Sequence, residues 1–366
     1  MAKPMVPRFR KWLKLVKKAS PYKNFYSQII DIILTKIRLN ISPSEYYFYA
    51  FYKGGLTWKQ RSEYIGLDGS LYWPYELNRL KFNVTLTNKY VQKNLLMGFG
   101  LPTPRLITTV GHDFQIKTLE ELQRFLSGCQ QDIVVKPISS MGGQNVLILS
   151  RKGRIFSVGD EEYTAEKIWH KITPQLKKGF LVEEKVSNNK QLTAFYPRSL
   201  NCFRVVTIKL PGEDWRFLVW GLKLGRGQSM VDNIGAGGIY VLLDKTGRTI
   251  RGYAKGYEQS FDRHPDTGAS LVGVRLEESE AVKELGLEAS RKFGFLGTIG
   301  WDIGLTERGP VIIEGNNLWG PMDQKVNGGH IKEELTRGLK RHTLWSRWDR
   351  TRMFPHFYRK MKAFRE

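Results

Sequence analysis

The chain has little cysteine and little histidine: two and six respectively in 366 residues. Cys129 and Cys202 have no metal-binding spacing and no disulfide framework is plausible. The histidines are scattered, which argues against zinc. A reducing cytoplasm suits such a composition. No run of about 18 apolar residues occurs, so no transmembrane helix is expected. The N-terminal stretch has charge but no apolar h-region with a cleavage site, so it does not read as a secretory signal. Also missing are a G-x-x-x-x-G-K-[ST] loop, a G-x-G-x-x-G behind a strand, a defensible Ser-His-Asp order, internal repeats and low-complexity linkers. Those gaps argue against P-loop, dinucleotide-binding, triad-hydrolase and solenoid readings.

Acidic residues are scarce at both ends. Residues 1–38 hold ten Lys/Arg and one acid, and residues 337–366 hold ten and two, so the ends carry +17 of the formal +23. The middle reads as an ordinary globular domain, and 41% hydrophobic residues suffice for a core. Between residues 8 and 38, Phe9, Trp12, Leu13, Val16, Phe25, Ile29, Ile30, Ile32, Ile33 and Ile37 alternate with basic residues, and Pro21 separates two helix-like halves. Lys/Arg on one face and large apolar groups on the other suit a helix lying on an anionic membrane surface. A helical extension packed on the main domain, its lysines solvated, suits the pattern equally. Charge alone is weak evidence for nucleic acid, and no recognition motif supports it. Residues 43–66 are aromatic-rich and read as a helix packing between domains. Residues 76–98 read as one helix, stopped by Gly98 and the Gly100–Pro104 breaker.

The chemistry-bearing residues follow. Phe293–Asp323 contains two apolar strands joined by Thr306–Pro310. The first carries Asp302; the second ends on Glu314-Gly315-Asn316. Glu314 and Asn316, two apart, share a strand face, and neighbouring strands lie about 4.8 Å apart. Two carboxylates and an amide oxygen would then meet, a hard-oxygen set suited to Mg²⁺. A solvated surface hairpin is the alternative. Upstream, Asp132–Pro137 is a β-branched strand carrying Lys136, followed by a small-residue loop with Ser139, Ser140, Gly142 and Gly143. Backbone N–H groups there can approach phosphate oxygens, or the loop is a plain hairpin turn. Gly179–Val186 is a strand that turns polar abruptly. Asn201–Ile208 is a strand with Arg204 embedded, which needs an anion, whether a phosphate or a structural partner. Asn233–Gly238 is a second glycine-rich loop, and Arg263–Gly268 a polar loop around His264.

In this order, Lys89 on a helix, Val135-Lys136-Pro137 with its loop, Asn201-Cys202-Phe203-Arg204-Val205, Asp232-Asn233 with Gly237-Gly238, His264-Pro265-Asp266-Thr267-Gly268, and Gly300-Trp301-Asp302 with Glu314-Gly315-Asn316 resemble the ATP-grasp superfamily. More narrowly they resemble its sugar-transfer-associated, α-L-glutamate ligase-related branch, over roughly residues 75–330. The resemblance implies an α+β fold whose two lobes clasp ATP, flanked by helical basic extensions at residues 1–74 and 331–366. It divides the catalytic domain into 75–130, a nucleotide-clasping 131–186 and a metal and substrate lobe 187–330. It implies that Lys89 and Lys136 contact phosphates under a loop of Ser139, Ser140, Gly142 and Gly143. Glu183, Glu184, Lys185 and Val186 would face adenine. Gln191 stands near where related enzymes carry a ribose-binding carboxylate, a departure from the pattern. Asp302, Glu314 and Asn316 would hold Mg²⁺, Arg204 would stabilise the transferring phosphoryl group, and Asn233, Gly237, Gly238 and His264 would face the acceptor, with His264 orienting substrate or accepting a proton.

The expected activity is carboxylate–amine ligation through an acyl phosphate, with an amino-acid or sugar-acid carboxylate and an amine acceptor. The expected setting is synthesis of a cell-surface polysaccharide or peptide conjugate, in the cytoplasm or at the inner face of the cell membrane. A phosphotransferase with a hydroxyl acceptor and a non-catalytic membrane-peripheral ATP-binding protein are the alternatives.

Overall fold

A computed structural model describes residues 12–13, 15–66, 77–78, 80–140, 143–153, 155–210, 212–254, 259–320 and 331. Gly142 and nearly all of the expected C-terminal basic helices lie outside these residues.

The N-terminal part is helical. Helix α1 spans Phe25–Leu39 and begins where the Asn24 side chain accepts from Ser27 N–H. Helix α2 (Pro43–Phe48) opens with a reciprocal Ser42/Glu45 capping box and α3 (Trp58–Ser62) with Thr57/Gln60. The aromatics of 43–66 do not form one helix. Tyr46, Tyr47, Tyr49, Phe51, Tyr52 and Tyr64 bury against one another in short turns and form a core of their own.

Residues 76–98 also break. Val84–Thr87 is a single turn, α4, and Lys89–Gly98 is α5. Between them Asn88 is extended (φ −106°, ψ 106°), and its side-chain oxygen accepts from Tyr90 and Val91 N–H. An Asn cap satisfies the first free amides better than a continuing turn would. The interruption puts Lys89 in the first turn of a new helix.

Two antiparallel sheets follow. The first contains β1 (Leu106–Val110), β2 (Ile133–Pro137), β3 (Leu147–Lys152), β4 (Ile155–Val158), β5 (Glu161–Tyr163) and β6 (Phe180–Glu184), ordered β1-β6-β2-β3-β4-β5. Helices α6 (Leu119–Gly128, capped by Thr118 with Glu121) and α7 (Ala165–Ile172, capped by Thr164) bury Leu122, Leu126, Ile168 and Ile172 against it. After the short α8 (Lys190–Phe195) come β7 (Cys202–Ile208), β8 (Arg216–Leu224), β9 (Ile239–Leu243), β10 (Thr249–Tyr253), β11 (Ser260–Phe261), α9 (Ser279–Lys292), β12 (Thr298–Thr306) and β13 (Gly309–Asn316). The second sheet runs β11-β10-β9-β8-β7-β12-β13. Val282, Leu285 and Ala289 of α9 join its core. Gly286 lets the helix sit close, because a Cβ there would lie 2.9 Å from Val205. The β12–β13 hairpin pairs Asp302 with Glu314 and Gly300 with Asn316.

Helix α5 joins the sheets. The buried Gln92 amide donates to Gly315 C=O (2.9 Å) and accepts Gly315 N–H (2.9 Å), gripping β13. On the side of the first sheet, Lys93 of the same helix pairs with Glu183 of β6.

Candidate functional site

The site lies where β12, β13, α5 and the loop after β2 converge. Asp302 lies on β12, between β7 and the edge strand β13 of the second sheet, and is almost fully buried. Its oxygens accept from Arg204 Nε (2.7 Å) and Nη2 (3.2 Å), and Lys223 Nζ stands 3.0 Å away. Arg204 comes from β7, directly opposite Asp302 in the ladder, and Lys223 from β8. Asp232 completes the group, 3.5 Å from Lys223 and accepting Cys202 N–H at 3.0 Å. Burial pushes the Asp302 carboxyl up, but Arg204 and Lys223 outweigh it and hold the group at about 2. Asp232 moves the other way: burial raises it, with Lys223 pulling back and Asp302 adding to the rise.

Asn316 Nδ2 lies 3.3 Å from Asp302 Oδ2 and 3.5 Å from Glu314 Oε1. The three side chains meet at one point, and a half-turn of the amide presents Oδ1 there instead. Two carboxylates and an amide oxygen fit a hard divalent cation such as Mg²⁺. The electrostatics set a condition. Asp302, Glu314 and Asp232 are balanced by Arg204, Lys223 and Lys89, so the cluster offers no net negative charge to a bare cation. Mg²⁺ is commonly held by one or two carboxylates together with substrate phosphates, and this balance favours a cation arriving with its polyphosphate.

Lys89 links the two halves. Its Nζ donates to Ser140 C=O (2.8 Å) and stands 3.3 Å from Glu314, while its N–H donates to Ile138 C=O. Gly143, at φ +71°, lies against Val231 of the second sheet's side, 3.5 Å from where its Cβ would be. Ser140 and Gly143 on either side of residues 141–142 therefore each stand close to groups of the second sheet's side. Behind it, Lys136 Nζ pairs with Glu183 (2.7 Å), whose other oxygen pairs with Lys93 (2.9 Å). All three are buried. Burial depresses Lys93 to about 8, with Glu183 resisting and Lys136 adding to the drop.

Other expected site residues stand elsewhere or have their polar groups engaged. The side chain of Glu183 faces lysines. The N–H groups of Glu184 and Lys185 donate to Arg105 and Asp132 carbonyls, and Lys185 Nζ pairs with Asp132. Val186 is half-buried beyond them. Gln191 donates to Arg275 C=O and accepts Glu277 N–H, both outside the cluster. Asn233 accepts Gly235 N–H and so shapes its own loop, in which Gly237 takes φ +101° and Gly238 packs against the Leu224 and Asp232 carbonyls. Ser139 is exposed at the loop.

His264 is buried, stacked on Tyr196, with Nε2 2.9 Å from Gly225 C=O and Nδ1 accepting Asp266 N–H. Both nitrogens are engaged with backbone. His264→Phe, which keeps the stack and removes both bonds, is expected to cost about 1–3 kcal/mol of stability in urea unfolding and to leave the ATP dissociation constant unchanged. A proton-transfer role requires the opposite pattern, lost turnover at unchanged stability.

Lys93 and Lys223 belong to the site and lie outside the motifs read from sequence. A lysine within the apolar Val219–Leu224 run was the available signal for Lys223, by the same reasoning that picks out Arg204.

A family model described as sugar-transfer associated ATP-grasp matches residues 72–338. Among solved structures, the chain is similar to the biotin carboxylase domain of the 2-oxoglutarate carboxylase of Hydrogenobacter thermophilus (12% identity, 74% of this chain and 49% of that one, TM-score 0.45). It is also similar to the L-amino acid ligase of Bacillus licheniformis (15%, 69% and 48%, 0.40) and to the D-alanine–D-alanine ligase of Bacillus anthracis (13%, 70% and 68%, 0.40). The chain spans about half the length of the first two. No curated protein matches.

Proposed function

The chain belongs to the sugar-transfer associated ATP-grasp family, and from that premise we propose that it is an ATP- and Mg²⁺-dependent ligase that joins a carboxylate to an amine through an acyl phosphate. An amino acid or sugar acid supplies the carboxylate, and the product enters a cell-surface polysaccharide or peptide conjugate. The observation that carries the reading is the meeting of Asp302, Glu314 and Asn316 beside Lys89, which itself touches the loop after β2.

ATP and Mg²⁺ are the cofactors of this reading. Asp302, Glu314 and Asn316 would hold the metal, which neutralises charge on the nucleotide's phosphate oxygens when bound. Lys89 and Lys136 supply positive charge at the phosphate end, where fixed cations and backbone donors lower the barrier to phosphoryl transfer. A carboxylate oxygen of the substrate attacks the γ-phosphorus and ADP leaves. The amine then attacks the acyl carbon, phosphate leaves and the nitrogen gives up a proton. Arg204 is half-spoken for by Asp302 but keeps about a fifth of its side chain exposed, enough to turn an edge toward an anion. The loop through Ser139, Ser140 and Gly143 closes the mouth and keeps water from the acyl phosphate.

The test is ADP and phosphate release with Mg·ATP across amino acids and sugar acids, with hydroxylamine as trap. Hydroxamate formation that Glu314→Gln abolishes is the expected result. ADP release with a phosphorylated product and no hydroxamate overturns the ligase reading in favour of a kinase.

A further inference from the structure

Helix α1 is packed with its polar side inward. Gln28, Asp31 and Thr35 are buried, with Ile32 the one apolar residue on that face. Asp31 is held by Lys23, by Arg61 Nη1 (2.8 Å) and by Tyr46 O–H (2.9 Å), and Gln28 accepts from Tyr47 O–H at 2.8 Å. Burial raises the Asp31 carboxyl, but these donors outweigh it and the group stays below the usual carboxylate range. The network fixes which way the helix faces.

The opposite side carries Tyr26, Ile30, Ile33 and Ile37, at spacings of four, three and four, with exposures of 78, 59, 51 and 75%. That spacing is one narrow helical stripe. Water is a poor solvent for such a stripe, and an amphipathic helix of a water-soluble fold turns it toward its core. Here the apolar stripe points away from the core, and Leu13 and Tyr22 extend the exposed surface.

Charge identifies the partner. Asp31 is the one acid in residues 1–38, and it is buried, while Lys17, Lys18, Lys36 and Arg38 are exposed, so the described surface of that stretch is cationic. A second copy of the module carries the same sign, as does the chain's own residues 337–366 at net +8. Both are repelled. No helix among the described residues is long and apolar enough to cross a membrane. We infer that the Tyr26/Ile30/Ile33/Ile37 stripe of α1 docks into the interface of an anionic lipid bilayer, with the surrounding lysines and arginines on the headgroups. Apolar insertion and headgroup attraction add in this geometry, and neither alone anchors a protein firmly. The inference stands apart from the chemistry proposed above.

The experiment is flotation of the full chain with vesicles of phosphatidylcholine alone or mixed with phosphatidylglycerol. The protein is expected to float with the mixed vesicles, weakly or not at all with the neutral ones, and less as salt rises. Ile30→Glu with Ile37→Glu is expected to lower the affinity roughly tenfold or more, with unchanged melting because both side chains are exposed. A second readout is independent of those substitutions. Both native cysteines are buried, so a polarity-sensitive thiol dye at Ile33→Cys reports on the stripe and is expected to shift blue on anionic vesicles only. Absence of flotation, equal binding by the double variant, or an unshifted dye overturns the inference. A dimer that the double variant dissolves, without vesicle binding, overturns it in favour of self-association.

Discussion

Asp302→Ala is expected to lower stability by about 3–5 kcal/mol, because it leaves Arg204 and Lys223 buried without their shared counter-charge. Glu314→Gln is expected to cost no more than about 1 kcal/mol, since Glu314 is about a quarter exposed and its partner Lys89 keeps the Ser140 carbonyl. Both are expected to reduce ATP turnover by roughly a hundredfold or more, as removal of a charge-stabilising group from such a site does. Urea unfolding beside turnover separates the two carboxylates. Equal stability losses would mean that the Arg204–Asp302–Lys223 cluster is solvated and weak, and an active Glu314→Gln would remove the metal assignment. Adding Arg204→Met to Asp302→Ala should recover part of the loss, because it removes the stranded guanidinium while Lys223 keeps Asp232 as its counter-charge. Acid has a defined signature here. The folded-state value of about 2 lies below the ordinary 3.8, so Asp302 stabilises the fold above pH 3.8 and that contribution fades as pH falls toward 2.

The second large effect concerns Glu183, which sits between Lys93 and Lys136. Glu183→Gln strands two buried lysines and is expected to cost about 3–5 kcal/mol and to weaken ATP binding. Pairing it with Lys93→Met should restore stability toward wild type while ATP affinity stays reduced. The lysine also predicts two opposed pH trends. Below about 8 the Lys93 ammonium is present in folded and unfolded chains alike, and the fold bears its burial. Between about 8 and the ordinary 10.5 the unfolded chain keeps a proton that the folded one has released, so this group makes stability rise with pH. Over the same interval the phosphate end loses a positive charge, so ATP affinity falls. Calorimetric ATP titrations and urea melts at pH 7 and 9 check both signs. A parallel rise or fall of the two would sink the assignment.

The hairpin was the most legible part of the chain. Gly309 and Pro310 mark its turn, and the Glu-x-Asn spacing defines a face; uniform pairing from that turn would set Ile313 opposite Asp302, and it is a bulge between Asp302 and Ile303 that brings Glu314 there instead. The strand carrying Lys136 and the glycine loops were legible for the same local reason. Lys93 was not, because a lysine on an amphipathic helix reads as solvated until the fold brings Glu183 of β6 against it. Lys223 meets Asp302, 79 residues away, and Asp232, nine away beyond the end of its strand, and nothing in the strand itself announces either. His264 and Gln191 carry site-like chemistry, yet the fold uses their polar atoms on loop backbone. Helix α1 left its orientation open: periodicity gives the angle between its faces, and only the Asp31 network says which one is inside.

The grip of Gln92 on Gly315 and of Lys93 on Glu183, one residue apart on α5, makes that helix a shared axle for the two sheets. Thr103 O–H donating to Ile312 C=O and Ile312 N–H donating to Pro102 C=O strengthen the bearing beside it. A jaw mounted on such an axle swings widest at its far rim and hardly at all near the pivot. Lys89, a turn away on the same helix, is then nearly stationary relative to Glu314 however far the sheets part. Amide exchange should show the contrast, with Gly315 protected longest and Gly143 released first.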